Sequence, residues 1–416
     1  MGRYSRSFKA LWSGEVISEF AGASGAIVNG LLLFELTGSR EWMGAMWLLY
    51  FVPSLLLQGA SAPFLNYVAK EVILRRVQLI RACAYILPLA GLLWDANLAI
   101  IVGLILLQLT LGLLAPIYAS LSFAILPEIC ADEELVDANG LLDGTLRLMG
   151  FLAPSITAGF VAFLPLPTMY IVSASLFLIS FFVLSAVKLP ATSKKIAVWT
   201  KRFWFNELKT GFRVFLTIPI LVRLSFLSAT VQFAVGATMV VSIPFIRTEL
   251  GGAQWEYALF SAAFPLGYVL GTVLLRVVVK REWLMYIGLI GGGFSFVLLF
   301  FVQSTEVAWL CELFGGIAFP FFNAQSAAIF QRLAPKERLA QLSAVRLLFL
   351  RASMPLGIVF ATLSAPFLSI RAVYVCVGLL IIVPGLVYLH RVLKKTCYYI
   401  KKEAGAHQLL LVLFVS

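Results

Sequence analysis

The sequence predicts an all-α integral membrane protein, with twelve transmembrane helices in two pseudo-symmetric six-helix halves. Three observations predict it. Of 416 residues, 61% are hydrophobic and only 12% charged, where a soluble chain carries about 25% charged; mean hydropathy is +0.97. The apolar residues fall in runs of about 20 or more, long enough to cross the roughly 30 Å hydrocarbon core as helices. A basic stretch near the middle separates six such runs from six more. A water-soluble enzyme is thereby excluded.

Taken in order, the spans read 10–35, 42–65, 76–94, 98–125, 141–163 and 167–187, then 219–246, 254–279, 283–303, 306–330, 342–365 and 370–391. Joining loops are short except at 126–140 and 188–218. The implied division is an N-terminal half over 1–188, a cytoplasmic linker over 189–218, a C-terminal half over 219–392 and a basic tail over 393–416. With the N-terminus inside, 28 of the 32 Lys and Arg fall on or near the cytoplasmic side, including Arg3, Arg6, Lys9, Lys70, Arg75, Arg76, Lys280, Arg281, Lys336 and Arg338. Arg40, Arg247 and Arg371 fall outside, and Arg223 snorkels near the inner end of span 7. Positive charge collects inside when loops are short, so span number and orientation support each other. Trp12 and Trp283 mark the inner interface; Trp42, Trp94, Trp255 and Trp309 mark the outer one. The net charge of +12 is thus topology rather than nucleic-acid binding.

Six spans, a basic linker and six spans is the plan of a two-half secondary transporter. A faint internal repeat accompanies it. At an offset of 204 residues, Glu133, Leu135 and Arg147 align with Glu337, Leu339 and Arg351. The five cysteines (Cys83, Cys130, Cys311, Cys376 and Cys397) show no metal spacing and read as small buried hydrophobes. Two histidines leave little for a metal site. The basic start, Met1–Ala10, leads into a full-length span without a cleavage pattern, so no removable signal is expected.

Several stretches, in order along nearly the whole chain, resemble one branch of the major facilitator superfamily, that of macrolide-efflux proteins and enterobactin exporters. They are Phe8–Ser18 (FKALWSGEVIS) with Leu36–Ser39 (LTGS), Leu126–Glu128 (LPE) with Leu135–Asn139 (LVDAN), Phe205–Gly211 (FNELKTG) through Pro219–Leu221 (PIL), and Asn323–Gln325 (NAQ) leading to Arg346. The family's loop between spans 2 and 3 reads about G-x-L-x-D-R-x-x-R-R. Here Ala62 stands for the Gly, Asn66 for the Asp, Tyr67 for its Arg neighbour and Lys70-Glu71 for the distal pair, followed by Arg75 and Arg76. In the family that Asp helps lock the inner gate through charge. Asn hydrogen-bonds without charge, so the lock should be weaker or rebuilt. The Asp frequent in span 1 of the branch is Gly22 here.

Carboxylates within a span are costly and face a cavity or a partner. Glu15 and Glu19 lie four apart on span 1, hence on one face, and at 1.5 Å per residue they sit roughly 6–14 Å into the helix. The seam continues through Gly22, Ala26 and Asn29. Two close carboxylates repel when both are ionised, so one of them holds a proton more tightly, as a proton-coupling site requires. The competing reading is a gate pair held by Arg147 or Arg351; interfacial snorkelling is a third. Glu312 on span 10 starts a second seam with Gly316, Phe319, Asn323 and Ser326, read as a proton or substrate site or as a solvated vestibule. Span 4 offers Gln108, Gly112, Ala115, Ala119 and Ser122, and span 7 offers Ser225, Ser228, Gln232 and Gly236. These faces line a cavity or permit close packing. Asp143 and Arg147 are placed for a local ion pair, whereas Arg346 and Arg351 could answer acids near 128–137 and close the cytoplasmic mouth.

The stretch Trp199–Arg213 interleaves bases and aromatics. Directly before a span it reads as an amphipathic helix on the membrane surface rather than a nucleic-acid platform. The apolar end 409–415 is too short to cross and has no account. No phosphate-binding G-x-x-x-x-G-K-[ST], G-x-S-x-G or H-E-x-x-H occurs, so neither ATP-driven transport by this chain alone nor hydrolysis is expected. The chain reads as a non-enzymatic carrier without cofactor, energised by the proton gradient. The charge distribution implies that both termini are cytoplasmic, and the resemblance implies a monomer in a bacterial cell membrane, exporting a drug-, macrolide- or siderophore-like compound. An uncoupled facilitator or importer, and a non-transporting scaffold or sensor, remain the alternatives.

Overall fold

The computed structural model describes residues 4–38, 40–94, 96–161, 163–189, 200–278 and 281–415, with side chains at all of these but 40, 41, 43, 44, 47 and 395–415. Arg3, Lys280, Trp199 and the first part of the linker, 190–199, lie outside them, as do the side chains of Arg40 and the last lysines. Among the described residues every regular element is helical: α1 Arg6–Thr37, α2 Arg40–Ser61, α3 Lys70–Ala84, α4 Ile86–Leu93, α5 Asn97–Ile129, α6 Leu135–Val161, α7 Leu166–Leu184, α8 Lys201–Thr217, α9 Pro219–Pro244, α10 Gln254–Val277, α11 Glu282–Leu299, α12 Thr305–Leu333, α13 Leu339–Ser364 and α14 Ile370–Val415. Eleven helical segments among these residues are long and apolar enough to cross a membrane, α3 and α4 counting as one from Lys70 to Leu93; α2 carries a shorter apolar stretch, Leu48–Ser61. With α2 and without α8, the twelve expected spans are present.

Local chemistry sets the ends. Ser5 caps α1 by accepting from the Phe8 N–H at 3.1 Å, and Gly38 closes it in the left-handed region at φ 60°, which glycine enters without a Cβ clash. Pro88, third in α4, has no N–H for the carbonyl four residues back, and the helix breaks at Tyr85. Thr200 caps α8 through the Phe203 N–H at 3.1 Å.

Two expectations change. The stretch 126–140 is mostly helix, because α5 runs to Ile129, a 3-10 turn occupies Asp132–Glu134 and α6 starts at Leu135. Polar residues end a hydrophobic run, but they do not end a helix whose backbone bonds are internal. For the same reason α14 continues past 391 through the apolar tail.

The faint repeat has a structural counterpart. The ends of α5 and α12, the 3-10 turns at Asp132–Glu134 and Lys336–Arg338, and the starts of α6 with α13 and of α7 with α14 are each 204 residues apart. The chain divides into two compact units, Met1–Ala229 with Ala327–Pro355, and Thr230–Ser326 with Leu356–Ser416. In the first, α1 packs against α6 and α7, α2 against α5, and α3 against α5 and α7. In the second, α11 lies along α14.

Candidate functional site

Within the first unit, α1, α3, α5 and α7 bring a polar network into an apolar bundle. Glu15 is 5% exposed and accepts from the Ser122 hydroxyl of α5. Glu19, one turn on, is exposed. Between them on α1, Ser18 donates to Gln78 Oε1 at 3.3 Å. Gln78 Nε2 donates to Ser180 Oγ at 3.0 Å, and Ser180 Oγ to the Gly14 carbonyl at 2.7 Å. Arg81 of α3 donates to Ser18 at 3.3 Å, its charge acts on both carboxylates, and it is buried beside the Tyr118 and Phe177 rings.

This corrects the sequence reading, which offered Arg147 or Arg351 as the cation holding Glu15 or Glu19. Arg147 pairs with Asp143 at 3.2 Å along α6, and Arg351 Nη1 donates to Ser54 Oγ at 2.7 Å. Charge distribution alone does not single out Arg81. Its signal was available, since an arginine five residues into an apolar span has to find a polar partner.

A second cluster joins the α2–α3 connection, α5 and α6 to the end of α12 and the start of α13. Asn66 makes two bonds to Gln341, Nδ2 donating to Oε1 at 3.0 Å and Oδ1 accepting from the backbone N–H at 3.1 Å. Asn139 donates to Gln331 Oε1 at 2.7 Å, and Gln331 Nε2 to the Phe123 carbonyl at 2.9 Å. Gln58 donates to Ser120 Oγ at 2.9 Å, and Ser343 to the Ser120 carbonyl at 3.0 Å. At Asn66, where the resemblance implies an acid, the clasp is made by neutral amides and hydroxyls, and its charged member is Arg338, whose Nη1 donates to Gln341 Oε1 at 3.1 Å.

The helix α8 closes over this clasp. Gln341 Nε2 donates to the Glu207 carbonyl at 2.8 Å, Arg338 pairs with the Glu207 carboxylate at 3.1 Å, and Trp204 Nε1 donates to the Ala60 carbonyl at 2.9 Å. The Tyr67 and Phe203 rings meet edge-on at 5.7 Å. Burial, and then the Glu207 charge, hold the Tyr67 phenol above its ordinary pKa.

Arg346 and Arg351 do not answer the acids near 128–137. Arg346 lies against the Phe123 and Phe330 rings, its Nη2 3.4 Å from Ser228 Oγ. The acidic stretch is met instead by Lys70, paired with Glu128, and by Arg332 on the Asp132 carbonyl. Side-chain reach explains the difference, for Lys70 starts α3 and Arg332 ends α12, while Arg346 is two turns deeper on its own helix. Arg75 is half-buried with an unpartnered Nε, and Arg76 is exposed.

The remaining candidates separate. Asn29, expected on a cavity seam, is buried and accepts from the Tyr170 hydroxyl at 2.9 Å, so it serves packing in the first unit. Gln108 and Gln232 are half-buried. In the second unit Phe319 is 1% exposed between the Phe264 and Phe296 rings, a core residue and not a wall. Asn323 Nδ2 donates to the Tyr268 hydroxyl at 2.8 Å. Glu312 is half-buried with Tyr374 inside its electrostatic reach. No cluster among the described residues could hold a metal ion.

No family model matches the chain. It is 24% identical over 367 residues, 86% of either chain, to a Bacillus subtilis protein named an uncharacterized MFS-type transporter, YvqJ. Among solved structures it is similar to the human organic anion transporter MFSD10, with TM-score 0.73 and 12% identity over 92% of this chain and 98% of that one. It is similar too to a bacterial homologue of the iron transporter ferroportin in an outward-facing state, with TM-score 0.73 and 18% identity over 92% and 99%. The fold is that of the major facilitator transporters, and the Bacillus relative carries an MFS-type name.

Proposed function

We propose that this chain, a membrane protein with the major facilitator fold, is a secondary transporter that exports hydrophobic or amphiphilic small molecules in exchange for protons by alternating access. The observation that carries the reading is the Glu15–Glu19 pair set beside Arg81 within α1 and α3. A carboxylate pair inside a spanning helix is costly to keep, and proton exchange uses what a passive scaffold has no need of. Export and the drug-, macrolide- or siderophore-like substrate class rest on the resemblance of the stretches from Phe8 to Arg346. The clustering of basic residues supports a cell-membrane location with both termini inside, and a monomer built as halves 1–188 and 219–392 with linker 189–218 completes the proposal.

The experiment is accumulation of ethidium and erythromycin in inverted vesicles, with and without an inside-acid gradient, for wild type and Glu19→Gln. Gradient-driven uptake that falls at least tenfold in the variant is expected. Uptake indifferent to the gradient would favour a second reading, an uncoupled carrier, for which Asn66 and Gly22 speak by standing where the resemblance implies acids.

A further inference from the structure

The contacts of Arg81 bear on how many protons the site takes. Its guanidinium is 9% exposed, donates through Nη1 to Ser18 Oγ and Gln78 Oε1 at 3.3 Å each, and leaves Nε without a partner. It is bonded to neither carboxylate, yet both feel its charge. The other titratable groups around it are Tyr118 of α5, Tyr85 at the α3–α4 break and Arg351 of α13. The phenols stay neutral across the physiological range. Arg351 acts on Arg81 but on neither carboxylate, and α7 contributes Ser180 and Phe177.

Two carboxylates and one guanidinium carry one surplus negative charge. Within a bundle of low dielectric a net charge is disfavoured, and a carboxyl takes up a proton instead. One proton brings the cluster to neutrality, whereas a second would strand the guanidinium. We propose that Glu15, Glu19 and Arg81 bind one proton between them, with Arg81 the positioning residue that fixes the count. The Ser122 hydroxyl donates to Glu15, and the proton belongs to the pair rather than to one carboxyl. On release one carboxyl O–H bond breaks, the proton passes to water, and the surplus negative charge left behind is matched by one positive charge. Cargo exchanged one for one at this site is therefore a monovalent cation. The inference rests on reading the pair as the proton site.

The test is infrared spectroscopy of the full chain in lipid bilayers near neutral pH, counting protonated carboxyls from the C=O stretch against the amide band. Replacing Glu15 and Glu19 together by Gln should remove one carboxyl from wild type, one in an Arg81→Lys background and two in an Arg81→Gln background. Removal of none or two from wild type, or an unchanged count in Arg81→Gln, overturns the proposal. Should Arg81→Gln fail to fold, the wild-type and Arg81→Lys counts decide alone. A count of one in a protein whose vesicle uptake ignores the gradient would sink the transport reading and leave the site intact. Gradient-driven uptake with any other count does the reverse.

Discussion

Asn66 shows how a single side chain can replace a charged contact. Its oxygen accepts from the third N–H of α13, one of the groups a helix start leaves unpaired, while its nitrogen donates to Gln341 Oε1. Aspartate could make the first bond but not the second, so the amide is the group this geometry fits. Two hydrogen bonds at about 1 kcal/mol each correspond to roughly a 10–30-fold shift in an opening equilibrium. Asn66→Ala should therefore raise the alkylation rate of a cysteine placed at buried Ser343 by about that factor. Because the lost bonds are uncharged, the factor should be the same at low and high salt, where a charged lock would weaken with screening. An effect below twofold would mean that Asn66 does not hold the clasp. The substitution at 66 was plain in the sequence; its partner lies 275 residues away and no local pattern could point to it.

Among the helices, close approach is set by glycine. A Cβ on Gly112 of α5 would sit 2.5 Å from the Tyr50 carbonyl of α2, against backbone that cannot swing aside. Gly112→Ala should cost about 1–3 kcal/mol, the usual penalty for overpacking, and lower the melting temperature in detergent by several degrees. Gly150 of α6 has open space about it, so Gly150→Ala should be neutral or raise stability by up to about 1 kcal/mol through helix propensity. Equal melting temperatures for the two variants would remove packing as the reason for Gly112. The seam on span 4 was legible as small residues, but whether they line a cavity or admit a neighbour was not. Spacing gives the face of a helix and leaves open what meets it. The helix α8 followed the same course. Its amphipathic pattern was readable from Trp199 onward, while the use of that pattern to bind Asn66, Gln341 and Arg338 into one cluster depends on the chain's return 131 residues later.

Across the whole molecule, turns and helix starts recur at 204 residues, so the two sets of spans follow one repeated plan, and charge should orient it. On a cysteine-free background, Ser369→Cys between α13 and α14 should react with an impermeant maleimide from outside in intact cells. Thr200→Cys before α8 should react only after the membrane is opened. The opposite pattern would invert the topology that the Lys and Arg distribution implies. Restoring native Cys130 should add little signal, because burial and then Glu134 push its thiol up to about 12. A group whose pKa is raised is thiolate only above that value, so its labelling stays slow at neutral pH and grows as pH climbs toward 12.

The sequence by itself determined that the chain is helical and crosses a membrane, how many times and where, because a span must be apolar over its whole length whatever it packs against. It also exposed Glu15 and Glu19, since a charge in such a run stands out alone. Only the tertiary structure decided what each polar residue meets. Arg81 acting on the carboxylates, Asn29 and Phe319 in cores rather than on walls, and an amide clasp from Asn66 to Gln341 all follow from contacts between distant segments. A hydrogen bond or ion pair is a property of two groups brought within reach, and one chain position carries no record of its partner.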